Sequence, residues 1–219
     1  MEKNKKQYVV LGMGRFGISV ARTLYGLGHD VLGVDNDEEI VQSLSNELTH
    51  VVSADLLDEE TFKALGLRNF DVAIVAVGDL EASMMCTLML KETGIPFILA
   101  KASTSLHGRM LEKIGADKVI YPERDMGLRV GHNLADSNIV DYIELVDNLS
   151  IMEIGAPKSM VGTSLSEAEL RRLYNVTVVA LRRNGQMLVN PDPHDKIKEG
   201  DIMVILGTRD NVKAMESRM

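Results

Sequence analysis

The chain has 219 residues, 45% of them apolar but only 4% aromatic, with no Trp and a formal net charge of −8. That length supplies one large or two smaller domains with real cores, filled by Val, Ile, Leu, Ala and Met. The acidic balance argues against a nucleic-acid partner, the absence of any run of 18 apolar residues against a membrane span, and the single Cys86 against an internal disulfide, so the expectation is a soluble cytoplasmic protein.

The charged opening, residues 1–6, leads into a strand without the apolar stretch of a secretory signal. Val9-Val10-Leu11-Gly12-Met13-Gly14-Arg15-Phe16-Gly17 then reads as a strand, a glycine turn and the approach to a helix expected over Ile18 to Leu27. Gly12 allows the tight turn, Gly14 lets backbone approach a phosphate, and Gly17 lets helix and strand pack closely. The positive end of that helix would face the phosphate. A second strand, Asp30 to Val34, ends at Asp35, about 20 residues on, where a ribose-binding acid belongs, with Asn36 assigned to the same set.

A polar helix over Glu38 to Asn46 follows, then a strand His50 to Ala54 closing on Asp55, and an acidic helix start at Asp58-Glu59-Glu60. A buried strand, Asp71 to Val77, ends at Gly78. Helix Glu81 to Glu92 stops at Gly94 with Pro96 beyond it. Strand Phe97 to Lys101, helix Ser105 to Ile114 and strand Lys118 to Tyr121 complete the alternation. Strands apolar throughout, alternating with helices, predict an α/β fold with a doubly wound, Rossmann-like parallel sheet. Ligands of such sheets sit at the carboxyl ends of the strands, so Gly12–Gly17, Asp35, Asp55, Gly78, Lys101 and Glu123 are assigned to one crevice.

Beyond Glu123 the pattern predicts helices from Arg124 to Leu134 and from Ser137 to Val146, then a strand Leu149 to Ile154. Ser166-Glu167-Ala168-Glu169 reads as a capping box opening a short helix to Leu173. Asn184-Gly185 joins Val176–Arg182 to Gln186–Asn190 as a hairpin. A strand Ile202 to Leu206 and a helix Thr208 to Arg218 close the chain. The expected division is a nucleotide-binding domain over 1–123, connecting helices over 124–147 and a small α+β domain over 148–219.

The site chemistry is that of binding. Asp35 accepts hydrogen bonds from ribose hydroxyls and repels a 2′-phosphate, which disfavours NADP. Asp55 suits an adenine amino group or a second ribose, or else serves as a helix cap or solvated carboxylate. Arg15, unless it lies in solvent, adds a fork of donors for extra phosphate charge and so favours ADP or ATP over a dinucleotide. No tyrosine has a lysine four residues on, the five histidines are scattered singly as surface or satisfied side chains, and no Cys/His cluster suggests zinc. Cys86 sits among Met84, Met85 and Met89 on a helix that reads as core rather than as a subunit contact.

Several stretches together resemble the cytoplasmic RCK (TrkA/KtrA-like) subunits that regulate Trk/Ktr-type potassium transporters. Gly12-Met13-Gly14-Arg15-Phe16-Gly17, Val34-Asp35 and Ala54-Asp55 match the family's nucleotide positions. Gly66-Leu67-Arg68-Asn69-Phe70-Asp71 and the run from Lys113 to Met126 are more specific still, and Pro191 with Glu199-Gly200-Asp201 resembles the family's C-terminal lobe. The resemblance implies ATP or ADP at the crevice, with NAD or NADH as the alternative, and Arg15 on the terminal phosphate. It implies magnesium or calcium held by Glu123, whose other reading is an exposed carboxylate pairing with Arg124 or Lys118. It implies cyclic di-AMP near Leu165, Arg171, Val176, Thr177 and Pro191. Its assembly would be a homodimer through helices near Asp125 to Val146, built into an octameric ring beneath a membrane-embedded potassium-transporting subunit, at the inner face of the plasma membrane. The rivals are an NAD-dependent oxidoreductase, which would need a base facing the nicotinamide, and a redox-sensing repressor, which would need a helix-turn-helix and a basic face.

Overall fold

The structure, a computed structural model, describes residues 5–135, 139–146 and 149–217. The chain divides into two compact units, residues 1–123 and 124–219.

In the first unit, β1 (Gln7–Leu11), α1 (Arg15–Gly26), β2 (Asp30–Asp35), α2 (Glu38–Leu44), β3 (His50–Ser53) and α3 (Glu59–Ala64) form one half. The other half is β4 (Val72–Val75), α4 (Leu80–Thr93), β5 (Ile98–Lys101), α5 (Ser105–Ile114) and β6 (Lys118–Ile120). The six strands are parallel in the order β3-β2-β1-β4-β5-β6, so the strand order reverses between β1 and β4. Successive side chains of a strand point to opposite faces, and both faces are covered. Val9 and Leu11 of β1 join Cys86, Leu90 and Leu111 in one cluster, while Val10 joins Ala21 and Leu44 in the other. Each such fully buried Val or Leu side chain is worth about 1.5–3 kcal/mol, which fixes the register on both sides of the sheet.

Helix α4 ends where the sequence says it should, because Gly94 takes the left-handed conformation (φ 76°) that any other residue would resist. The methionine-rich stretch of α4 is core: Cys86 and Met89 are buried and Met84 and Met85 pack against the same cluster. Burial pushes the Cys86 thiol up to about 12, which leaves it inert.

Helix α6 (Pro122–Ala135) begins at the end of the first unit and continues into the second. The next segment corrects the sequence reading. Residues 139–146, expected as helix, form the strand β7 (Ile139–Val146); Ser137, the expected first residue, lies outside the described residues. The β-branched residues Ile139, Val140, Ile143 and Val146 favour a strand, and antiparallel pairing with β8 (Leu149–Gly155) makes the segment one. Then come α7 (Leu170–Tyr174), β9 (Thr177–Arg183), β10 (Gln186–Val189), β11 (Ile202–Thr208) and α8 (Arg209–Ser217). The strands make an antiparallel sheet in the order β10-β9-β11-β8-β7. Met152, Ile154, Leu181, Met203 and Ile205 of its inner face pack with Leu170 of α7 and with Val212 and Met215 of α8.

The hairpin forms as expected, with Asn184 and Gly185 both at positive φ (49° and 78°), the type I′ signature. The capping box lies two residues earlier than expected. Ser164 Oγ accepts from Glu167 N–H, and Glu167 Oε2 accepts from the backbone N–H and the hydroxyl of Ser164. That reciprocal pair closes the turn before α7, while Glu169, at φ 44°, precedes the helix without capping it. Helix α8 follows β11, as the sequence indicates.

Candidate functional site

The glycine turn shapes the crevice at the point where strand order reverses. Gly12 has φ 90°, and a Cβ there would lie 2.9 Å from the backbone nitrogen of Val77, just past β4. Gly17 is more constrained, since a Cβ would lie 2.0 Å from the carbonyl oxygen of Gly12. Gly14 is the residue before α1, extended at φ −71°, ψ −176°. Helix α1 therefore starts at Arg15, three residues before the expected Ile18, and Arg15 is its first residue rather than an interior residue of the turn. Phe16 packs half-buried against the apolar cluster that holds Val10 and Met13.

The start of α1 differs chemically from the starts of α2 to α5. Asp37, Asp58, Asp79 and Thr104 accept backbone N–H groups at the starts of α2, α3, α4 and α5. Helix α1 has no side-chain cap and no acidic residue in its first turn. The first N–H groups of a helix have no partner within it, and with the dipole they favour an anion.

Asp35 ends β2 with its carboxylate turned toward the turn: Oδ2 accepts the N–H of Met13 and Oδ1 that of Asp37 at 3.0 Å. Each oxygen keeps a further lone pair for a hydroxyl donor. Gly12, Asp35, Asn36 and Asp55 line a cavity of ≈ 120 Å³. Leu56, Leu57, Val77 and Ala82 complete its wall, a partly apolar surface that the sequence reading did not assign. Asp55 is exposed and accepts the N–H of Leu57 at 2.9 Å. It is not a helix cap; Asp58 caps α3.

Gly78 is exposed two residues past Ala76, whose N–H is donated to the Leu11 carbonyl beside the turn. Lys101 ends β5, and its Nζ lies 3.1 Å from Glu123 Oε1. The expected partners of Glu123 are thus corrected: Lys118 does not take it, and Arg124 pairs with Asp125 instead. The Lys101 hydrogen bond, followed by a backbone hydrogen bond and the charges of Lys101 and Arg15, holds the Glu123 carboxyl below its usual range. Among the described residues no group of three His, Cys, Asp or Glu side chains could hold a metal ion.

His107 departs from the expectation of a surface or satisfied side chain. It is 2% exposed in the first turn of α5, its Nδ1 accepts the N–H of Ser103 at 3.3 Å, and its buried Nε2 has no partner among the described residues. Burial pushes its pKa down. In the second unit Leu165, Arg171, Val176, Thr177 and Pro191 all line one cavity of ≈ 400 Å³, joined by Pro193 and Arg172.

Comparison with known proteins gives a TrkA-N domain over residues 8–122 and a TrkA-C domain over residues 149–219. The Ktr system potassium uptake protein A of Bacillus subtilis (strain 168) is 41% identical over 97% of this chain and 96% of its own length. Ktr system potassium uptake protein C of the same organism is 38% identical, with 98% of each chain covered. The GsuK RCK domain shares the fold at a TM-score of 0.68 and 18% identity, covering 99% of this chain; this chain spans 48% of that one. Among the described residues no helix is long and apolar enough to cross a membrane.

Proposed function

The chain belongs to the family built from paired TrkA-N and TrkA-C domains, and on that premise we propose that it is the nucleotide-sensing regulatory subunit of a potassium uptake system. It acts in the cytoplasm on a membrane-embedded potassium-transporting partner and carries out no chemistry of its own. The observation that carries this reading is the uncapped start of α1 facing outward beside Asp35, where an anion and a ribose would sit together. The nucleotide is ATP or ADP in preference to NAD(H). Asp35 takes the ribose, Asn36 and Asp55 the base side of the cavity, and Gly12, Gly14 and Gly17 the close approach of phosphate. Arg15 and Lys101 meet the terminal phosphates, and Glu123 adds a hard oxygen ligand should magnesium or calcium accompany them.

A ligand shifts a two-state assembly only by its difference in affinity between the states. A terminal phosphate at the Arg15 end provides that difference. The exposed apolar residues of α6, among them Met126, Leu128 and Leu134, supply a surface through which protomers pair and pass the change into an octameric ring. Arg15→Ala is expected to reduce the ATP/ADP affinity ratio by roughly tenfold, because one charge-assisted contact with a phosphate is lost. Adenosine affinity should stay unchanged. Calorimetric titration of each ligand checks this, and an unchanged ATP/ADP ratio would count against Arg15.

A second reading concerns the other unit. One cavity of ≈ 400 Å³ gathers Leu165, Arg171, Val176, Thr177 and Pro191, combining apolar wall with a guanidinium. That favours cyclic di-AMP as a second ligand there, the arginine meeting a phosphate and the apolar residues a base. Arg171→Ala should weaken cyclic di-AMP binding about tenfold or more while ATP affinity at the first unit holds. Equal cyclic di-AMP affinity in both proteins would remove this reading.

A further inference from the structure

Lys101 and Glu123 form an ion pair whose geometry bears on how a nucleotide enters. The Lys101 side chain is only 16% exposed at the end of β5, so its ammonium is delivered to the crevice on a packed stem. Glu123 is 68% exposed in the first turn of α6, yet its Oε1 sits 3.1 Å from that ammonium. Lys101 is thus held by packing, and Glu123 is the member free to leave. The carboxylate stands on the cationic ground where a terminal phosphate would be bound, and the two anions repel each other at that distance.

Building on the nucleotide reading above, we propose that Glu123 is an internal counter-anion of the phosphate subsite, occupying Lys101 until the terminal phosphate of a nucleotide displaces it. The cost of displacement falls only on ligands long enough to reach Lys101. It is absent for adenosine, small for AMP, larger for ADP and largest for ATP. Glu123 therefore sets how sharply the site distinguishes nucleotides by charge when no divalent cation is present. Its release also frees the first turn of α6, the helix through which the chain leaves the nucleotide-binding unit, so phosphate entry and α6 are joined at a single residue.

The test is a titration series of adenosine, AMP, ADP and ATP into full-length wild type, Glu123→Gln and Glu123→Ala, with EDTA present throughout. Removing one negative charge a few ångströms from a phosphate is expected to tighten ATP about three- to tenfold in both variants. The gain should shrink through ADP to AMP and vanish for adenosine. A loss of ATP affinity in both variants, or an equal change for all four ligands, would overturn the proposal, because Glu123 would then position Lys101 or support the fold. Failure of wild type to bind any of the four would instead bring down the nucleotide reading itself. The two failures are therefore distinguishable.

Discussion

Arg183→Ala is expected to destabilise the second unit by about 3 kcal/mol, among the largest effects of any single substitution in this chain. Asp201 is 1% exposed, and its carboxylate accepts from Arg183 Nε at 2.8 Å, from Arg183 Nη2 at 2.7 Å and from the Lys198 N–H at 2.9 Å. Arg183 Nη2 also donates to the carbonyl of Lys196. One guanidinium thus ties the end of β9 to the turn that feeds β11. Truncating it leaves a buried carboxylate with one backbone donor, and the penalty is that of an unpaired buried charge rather than of a lost surface pair.

The pH dependence follows from the same contact. The Arg183 hydrogen bond, and after it the Lys198 backbone bond, hold the Asp201 carboxyl below its usual range. A carboxyl whose pKa is depressed by folding stabilises the fold above its unfolded value, about 3.9, and that stability is lost as the pH falls through the folded value. The stability gap between wild type and Arg183→Ala, measured by urea unfolding, should therefore be wide at pH 7 and close below about pH 4. A gap independent of pH, or one under about 0.5 kcal/mol at pH 7, would contradict this assignment.

Gly17→Ala is the second change with a large expected effect. The added Cβ would lie 2.0 Å from the carbonyl oxygen of Gly12, which is backbone and cannot swing aside as a flexible side chain can. Gly12 is itself confined by Val77, so the turn must open or α1 must move away from it. Overpacking of this kind commonly costs 1–3 kcal/mol of stability. Its effect on binding is greater in proportion, because the N–H groups at the start of α1 are displaced from the phosphate they would meet. We expect adenine nucleotide affinity to fall on the order of a hundredfold, corresponding to about 2.7 kcal/mol, while the transition of the second unit is retained. Nucleotide affinity equal to wild type in a folded Gly17→Ala chain would show that phosphate does not sit on this turn.

The parallel sheet was legible because its central strands are apolar throughout and several helices carry their own stop or start, Gly94 and Pro96 among them. The acidic strand end at Asp35 was legible for a related reason. A ribose-binding carboxylate must follow a strand at a fixed distance from the glycine turn, and that spacing survives in the one-dimensional record. Residues 139–146 were not legible as a strand. The apolar positions Val140, Ile143 and Leu145 keep neither a helical nor a strand period throughout, and only the pairing of β7 with β8, a tertiary fact, decides the segment.

Other details escaped for equally definite reasons. The Lys101–Glu123 pair joins residues 22 apart on β5 and α6, whereas sequence proximity suggested Arg124 or Lys118. The capping box was read at Ser166 because two S-x-x-E patterns overlap there, and the turn geometry selects Ser164 with Glu167. The wall formed by Leu56, Leu57 and Ala82 left no signal at all, since apolar residues around a crevice look like core until the cavity is seen. His107 was misjudged because burial cannot be read from sequence for a lone histidine in the first turn of a helix.

The proposed function requires that the crevice recognise adenine nucleotides through the turn at Gly12–Gly17 and through Asp35. Its most direct test is calorimetric titration of the full-length chain and of Asp35→Ala with ATP and with ADP. Saturable binding of both nucleotides by wild type, with unequal affinities and a loss of roughly tenfold or more for each in Asp35→Ala, is the predicted result. Absence of heat for either nucleotide in the folded wild-type chain, or affinities that Asp35→Ala leaves unchanged, would contradict it.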